Sequence, residues 1–255
     1  KADGVFYVSF KLGHEERLNN GRHFTDATEA RLLSWMDGFV DSATVDCWIT
    51  SDRRPQRDEK WLNAVIRKKP SKPDRLITGD KGHPFLPQLC ASIAGADEID
   101  FSVAFVKTSG LRLLMPDLEA ALAEKAESQR PPARLRVVTS DYLDVTDPDA
   151  LRLLMLLQAR GAQIRVFEAR GTSFHMKAYL FAHFDHDKQL RGAAFIGSSN
   201  ISRQALTDGL EWNYRIDYPR DDGFLEARAS FERVFRDQRT VPLTDAWIEA
   251  YEGRR

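Results

Sequence analysis

Cysteine is scarce in this chain: there are two, Cys47 and Cys90, far apart and in no metal-ligand spacing. That excludes a disulfide-stapled scaffold and a cysteine-built zinc site. The pair reads as reduced, buried thiols of a cytoplasmic protein, with a disulfide as the alternative. No apolar run reaches the length of a membrane span, no signal-peptide pattern opens the chain, and no amphipathic membrane face or anchor is visible. No membrane partner is therefore expected. An initiator Met is missing too: the chain begins Lys1-Ala2-Asp3-Gly4, as a chain processed or cut from a longer one would. Excess charge is absent, the net value being −1, which argues against non-specific coating of nucleic acid but not against a local basic groove. No repeat or low-complexity segment stands out.

What is present is an ordinary globular composition, 42% hydrophobic and 29% charged over 255 residues, enough for one large domain or two small ones. Residues 1–70 read as a small α/β unit. Strands are expected over 5–10 and 45–49, and helices over 27–39, capped by Thr25 or Asp26, and over 58–67. His14 and His23 read as surface loop histidines. The basic, proline-punctuated run 67–75 reads as a solvated linker, a reading compatible with contacts to a phosphate backbone.

From residue 78 helix and strand alternate. Helices are expected over 85–94, 109–127 (with Pro116 a restart or kink) and 148–160, the last closed by Gly161. Strands are expected over 99–106, 135–139 and 163–167. A hairpin, a strand over 212–218 and a helix over 223–236 follow. This predicts an α/β domain over 78–255, with a mixed, largely parallel sheet flanked by helices.

The chemistry is concentrated in residues 174–213. His175, Lys177 and Tyr179 alternate with Met176, Ala178 and Leu180, so a strand would show the first three on one face and pack the others. An imidazole beside an ammonium is ill suited to burial and well suited to an anion such as phosphate. A second apolar strand ends in Gly197-Ser198-Ser199-Asn200, with short donors ahead of a helix starting near Ile201, whose free N–H groups favour anions. Glu211 could accept a hydrogen bond from an imidazole and fix its tautomer. Lys107 and Arg170, at strand ends, read as solvated charges or as further phosphate contacts. Trp212 reads as core.

His-x-Lys, Gly-Ser-x-Asn and an acidic residue eleven places on resemble the phospholipase D superfamily. The resemblance implies that His175 is the nucleophile, taking up the phosphoryl group as a phosphohistidine, and that Lys177 binds phosphate oxygens. It implies that Ser198 and Asn200 hold the site and its anion, and that Glu211 orients the histidine. Ser199 falls on the variable position. The sequence departs from the pattern at Ala182, where the family usually has Asp, and in a long spacer before Gly197. More narrowly, "GSSNISRQALTDGLEWN" resembles nuclease-like domains at the N-terminal end of superfamily 2 helicases of restriction and defence systems.

Only one His-x-Lys/Gly-Ser-x-Asn set exists, whereas a complete site in this superfamily uses two. The resemblance therefore implies a homodimer with a composite active site, acting on nucleic acid, DNA foremost, with a helicase domain in cis or in trans. It implies no cofactor and no metal. A metal site can be drawn at His183-Phe184-Asp185-His186-Asp187, but hairpin turns favour such residues anyway. The expected function is a metal-independent DNA phosphodiesterase. The alternatives are a catalytically idle nucleic-acid-binding or dimerisation module and, less favoured, a lipid phosphodiesterase.

Overall fold

The computed structural model describes residues 5–36, 43–54, 56–68, 75–80, 82–124 and 131–255. The chain divides into two compact units, Lys1–Pro73 and Asp74–Arg255.

In the first unit, β1 (Val5–Lys11) is followed by a hairpin, β2 (Glu16–Asn19) and β3 (Arg22–Thr25). Then come α1 (Glu29–Trp35), β4 (Ala43–Ser51) and β5 (Lys60–Lys68). The sheet order is β1-β5-β4, antiparallel throughout. Thr28 caps α1 by accepting from Arg31 N, and not Thr25 or Asp26. The helix expected over 58–67 is instead the central strand β5. Leu62 and Ala64 pack with Leu32 and Ala27 on the α1 side, while Trp61, Asn63 and Val65 alternate with them. A residue run flanked by strands on both edges fills two ladders of hydrogen bonds, and its period is two rather than 3.6. The hairpin was not foreseen; it places His23 in a strand. Residues 37–39 of the expected helix, and most of the basic run, lie outside the described residues.

In the second unit an eight-stranded sheet has the order β13-β9-β8-β7-β10-β11-β12-β6. In chain order the elements are β6 (Leu76–Ile77), α2 (Phe85–Gly95), β7 (Glu98–Val103), α3 (Thr108–Leu122) and β8 (Arg134–Ser140). α4 (Pro148–Gln158), β9 (Gln163–Phe167), β10 (Lys177–Phe184), β11 (Leu190–Gly197) and α5 (Arg203–Thr207) follow. β12 (Asn213–Tyr218), α6 (Gly223–Phe235), β13 (Thr240–Pro242) and α7 (Asp245–Gly253) close the chain. The sheet is mixed as expected, with its parallel part confined to β7, β8 and β9. Their connections carry α3 and α4, whereas a short turn after β10 and the α5-bearing loop after β11 return the chain antiparallel.

Helices cover both faces. On one, Ile93 of α2, Leu111 and Leu114 of α3, Leu154 of α4 and Ile248 of α7 pack on Phe101, Val137 and Tyr179. On the other, Phe224, Phe231 and Phe235 of α6 pack on Val138, Leu180 and Ala194. The leucines of α3 recur at three- and four-residue spacing, giving it one apolar stripe. Its first amide, Thr108 N, donates to the Asp147 carboxylate at 3.1 Å, and the helix continues through Pro116. Pro148 opens α4, and Gly161, at φ +100°, turns the chain after it. Asp100, 3% exposed, accepts from Arg136, whose guanidinium also donates to Glu232 at 2.7 Å and ties α6 to the sheet.

Three expectations about side chains are overturned. Met176, expected in apolar packing, is 39% exposed, and Tyr179, expected beside His175, is fully buried. Both faces of β10 are covered deeper in the sheet, so alternation does not separate core from solvent there. Trp212, expected in the core, is 69% exposed because it precedes β12 at the uncovered end of the sheet. Cys47 and Cys90 are both free and half-buried, and burial pushes the Cys90 thiol up to about 12.

α3 approaches the loop before α5 so closely that a Cβ on Gly110 would lie 2.5 Å from the Ser202 backbone. Gly110→Ala should therefore destabilise the protein by about 2 kcal/mol through overpacking, measured by urea denaturation. It should also lower activity, because the same loop carries Asn200.

Candidate active site

β7, β8 and β9 end, β10 starts, β11 ends and β12 starts along one edge of the sheet, as the pairings Lys177↔Val103 and Gly197↔Asn213 require. The motif residues are gathered there, where carboxyl ends of parallel strands leave room for ligands. Phe174, 1% exposed and 4.8 Å from the Phe167 ring, anchors the segment before β10, and His175 emerges exposed beside it.

Lys177 is 6% exposed. Its Nζ donates to His175 Nδ1 at 2.9 Å and to the His175 carbonyl at 2.8 Å, and no carboxylate among the described residues pairs with it. The Phe105 ring lies 5.7 Å from Nζ, and the Phe105 and Tyr142 rings meet the imidazole edge-on at 5.9 and 6.4 Å. Burial lowers the Lys177 pKa, opposed by the field of Glu211. An ammonium only donates, so Nδ1 accepts and the neutral ring carries its proton on Nε2.

Asn200 folds its Oδ1 inward to accept from Phe105 N at 3.0 Å; its Nδ2 meets no acceptor among the described residues. The loop is zipped to the end of β7 through Lys107 N to the Ile201 carbonyl, 2.7 Å, and Ile201 N to the Phe105 carbonyl, 3.3 Å. Ser198, exposed, donates to the Glu211 carboxylate and accepts from Trp212 N at 3.0 Å. No hydrogen bond joins Glu211 to His175, so the expected orienting contact is absent. Glu211 instead holds Ser198, and its backbone N is pinned to the Thr78 carbonyl at 3.1 Å.

Three further residues support the turn, of which only Gly197 is legible in the sequence, as the small residue of a Gly-Ser-x-Asn turn. Ser199, on the variable position, is fully buried; it accepts from Asn213 Nδ2 at 2.8 Å and its carbonyl accepts from Tyr179 OH at 2.9 Å. Gly197 is required here, since a Cβ would sit 1.9 Å from the Trp212 carbonyl. Phe105 was also missed; its position at the end of an apolar strand was the available signal. The helix expected near Ile201 is α5, five residues long and capped by Ser202, so it offers little dipole to an anion.

Lys107 is paired with Asp147 at 3.1 Å and Arg170 with Glu168 at 2.5 Å, so neither is given to the site. In the turn at 183–187, Asp185 accepts from the backbone of Asp187 and Gln189 and pairs with Arg191, the ordinary work of a turn aspartate. No metal-holding group of three or more such residues occurs among the described residues. Ala182, 3% exposed, lies five strand residues from Lys177, about 17 Å along the sheet, packed with Phe224 and Ala194. The missing Asp thus lies away from the imidazole.

A mixed α/β sheet with a His-x-Lys pair and a Gly-Ser-x-Asn turn at one edge defines a phospholipase D-like class, whose chemistry is hydrolysis or transfer at phosphodiesters. Residues 90–237, more than half of the chain, match the family model described as "Cardiolipin synthase, PLD-like domain", and the chain belongs to that family. Among solved structures, it is similar to the polyphosphate kinase of Porphyromonas gingivalis at 10% identity and a TM-score of 0.40, over 82% of this chain and 36% of that one. The chain thus spans about a third of that enzyme's length. Comparison with curated protein sequences gives no match. No helix among the described residues is long and apolar enough to cross a membrane.

Because its folded pKa is lowered, Lys177 costs stability while charged, and stability should rise with pH between the lowered value and the ordinary lysine value. Lys177→Met should therefore raise Tm at pH 7, with the gap narrowing toward pH 10, while activity is lost. Thermal scans at the two pH values check the sign.

Proposed function

We propose that this chain is a metal-independent phosphodiesterase that cleaves DNA as a homodimer in the cytoplasm, serving a restriction or defence helicase system with the helicase in cis or in trans. The observation that carries the phosphate reading is the buried Lys177 ammonium, which has an imidazole beside it and no carboxylate among the described residues to neutralise it. A near-buried cation without a counterion is costly, and an anionic substrate removes the cost. The helicase-linked nuclease reading is supported by the residues from Gly197 to Asn213.

The dimer is supported by the single motif and by the surface beside it. Met176, Ile196, Trp212, Tyr214 and Leu76 are exposed by 39–69%. Ile196 pairs with Tyr214, and Tyr214 with Leu76, so these side chains form one apolar row across the sheet. α6 covers the same face farther along and leaves this end open. A second copy on this row would bring two imidazoles to one phosphate.

In the proposed reaction a phosphate oxygen replaces the His175 ring as acceptor for Lys177. Nδ1 then takes the ring proton and Nε2 offers its lone pair. Nε2 attacks phosphorus, the P–N bond forms, and the P–O bond to the leaving group breaks as that oxygen takes the Nε2 proton of the partner's His175, which enters the step as an imidazolium and leaves it neutral. The partner's His175, now a base, takes a proton from water, whose oxygen attacks phosphorus and breaks the P–N bond. Both Lys177 ammoniums and both Asn200 Nδ2 groups hold the non-bridging oxygens. Ser198 and Glu211 keep the turn in place.

Plasmid DNA incubated in EDTA should be cleaved by the parent, and His175→Ala should lower the rate at least about 100-fold. Binding without cleavage by either protein would identify an idle module, and head-group release from lipid vesicles a lipid enzyme. Solution mass should be twice the 29.1 kDa of one chain. Ile196→Arg with Trp212→Arg should yield an inactive monomer; an active monomer overturns the composite site.

A further inference from the structure

The first unit has a face that the phosphodiesterase reading leaves unused. Register places Tyr7, Ser9 and Lys11 of β1, Trp61 and Asn63 of β5, and Trp48 of β4 on one side of the sheet, opposite α1. No helix among the described residues of this unit lies over it, and Tyr7 and Trp48 are 55% and 43% exposed, with ring centroids 6.1 Å apart. The Tyr7 ring is held in place, because its OH donates to Asn63 Oδ1 at 2.6 Å and Asn63 Nδ2 donates to Thr50 at 3.0 Å. Asn63 is itself 6% exposed, so the anchor under the ring is rigid.

At one end of this face opens a cleft of about 390 Å³, lined by Lys11, Arg17, Arg54, Arg57, Phe24 and Trp61 among others. Its cations sit over carboxylates. Arg17 pairs with Asp26 at 2.7 Å, Arg54 with Asp52 at 2.5 Å, and Lys11 and Arg57 with Glu59 at 2.9 and 3.6 Å. The Asp26 and Asp52 side chains are each 6% exposed, whereas Arg54 and Arg57 are 57% and 50% exposed. The carboxylates orient the guanidiniums from below, and the surface presents their outer N–H groups.

We infer that this face binds a single strand of nucleic acid, its bases stacked on Tyr7, Trp48 and Trp61 and its phosphates on Lys11, Arg17, Arg54 and Arg57. The exposed rings of Tyr7 and Trp48, with half-buried Trp61 beside them, suit unpaired bases, whose faces a duplex hides, and the bordering cations match a phosphate backbone. A bare apolar partner would leave these guanidiniums desolvated, which disfavours a protein on this face. The inference shares its class of ligand with the proposed function but none of its chemistry, so binding is measured in the His175→Ala background.

A labelled single-stranded oligonucleotide of mixed sequence is titrated into the full chain carrying His175→Ala, followed by anisotropy. Adding Trp48→Ala, or Arg54→Glu with Arg57→Glu, should weaken binding about tenfold or more, and the charge reversal should flatten the salt dependence. The arginines are exposed, so their reversal tests the face even if Trp48→Ala fails to fold. In the His175 background the same variants should hydrolyse bis(p-nitrophenyl) phosphate as the parent does. Unchanged strand affinity in both variants, no binding by His175→Ala, or equal competition by duplex overturns the inference. Strand binding that depends on this face, without hydrolysis by any variant, leaves it standing while the phosphodiesterase reading falls.

Discussion

A lysine ammonium held inside the end of a β-sheet governs the rest of this structure. Lys177 has given up most of its water and pairs with no carboxylate among the described residues; it has the His175 ring, one carbonyl and the face of Phe105. Glu211 helps only through its field. Such an arrangement is poor for stability and good for holding an anion, the usual exchange at functional sites. The same contact sets the histidine tautomer: with Nδ1 accepting from Lys177, the neutral imidazole carries its proton on Nε2, and Nδ1 must be released before Nε2 can offer a lone pair.

Keeping that ammonium in place requires four chain segments to meet. The end of β7 supplies Phe105, the start of β10 supplies Lys177, and the end of β11 and the approach to β12 supply the Ser198–Glu211 pair. Their junctions are glycine-tight: at Gly197 and Gly110 a single methyl would collide with backbone. Ser199, Asn213 and Tyr179 then lock the turn from beneath. The motif residues thus ride on sheet ends and a packed loop, where side-chain geometry is held closely.

Legibility differed between the units for physical reasons. In the second, strands alternate with long amphipathic helices, and residues 163–167 could be bounded from the apolar run and Gly161 alone. In the first, residues 58–67 carry apolar residues on both sides, and only the pairing of β5 with two neighbours distinguishes strand from helix. Trp212 was misplaced for a related reason. A large apolar ring before a strand is core only where a helix covers it, and α6 stops short.

The five motif residues, the placing of an imidazole and an ammonium side by side in a pattern that suits an anion, and the alternation of strand and helix after residue 78 follow from the order of side chains alone. Residue type and spacing report local chemistry and periodicity, and these are local facts. That Glu211 rests on Ser198 rather than on the imidazole, that Ser199 is buried, and that Lys177 pairs with no carboxylate among the described residues were decided by tertiary packing. Each depends on which strand ends become neighbours, and neighbours across a sheet are chosen by burial and hydrogen-bond register over the whole domain.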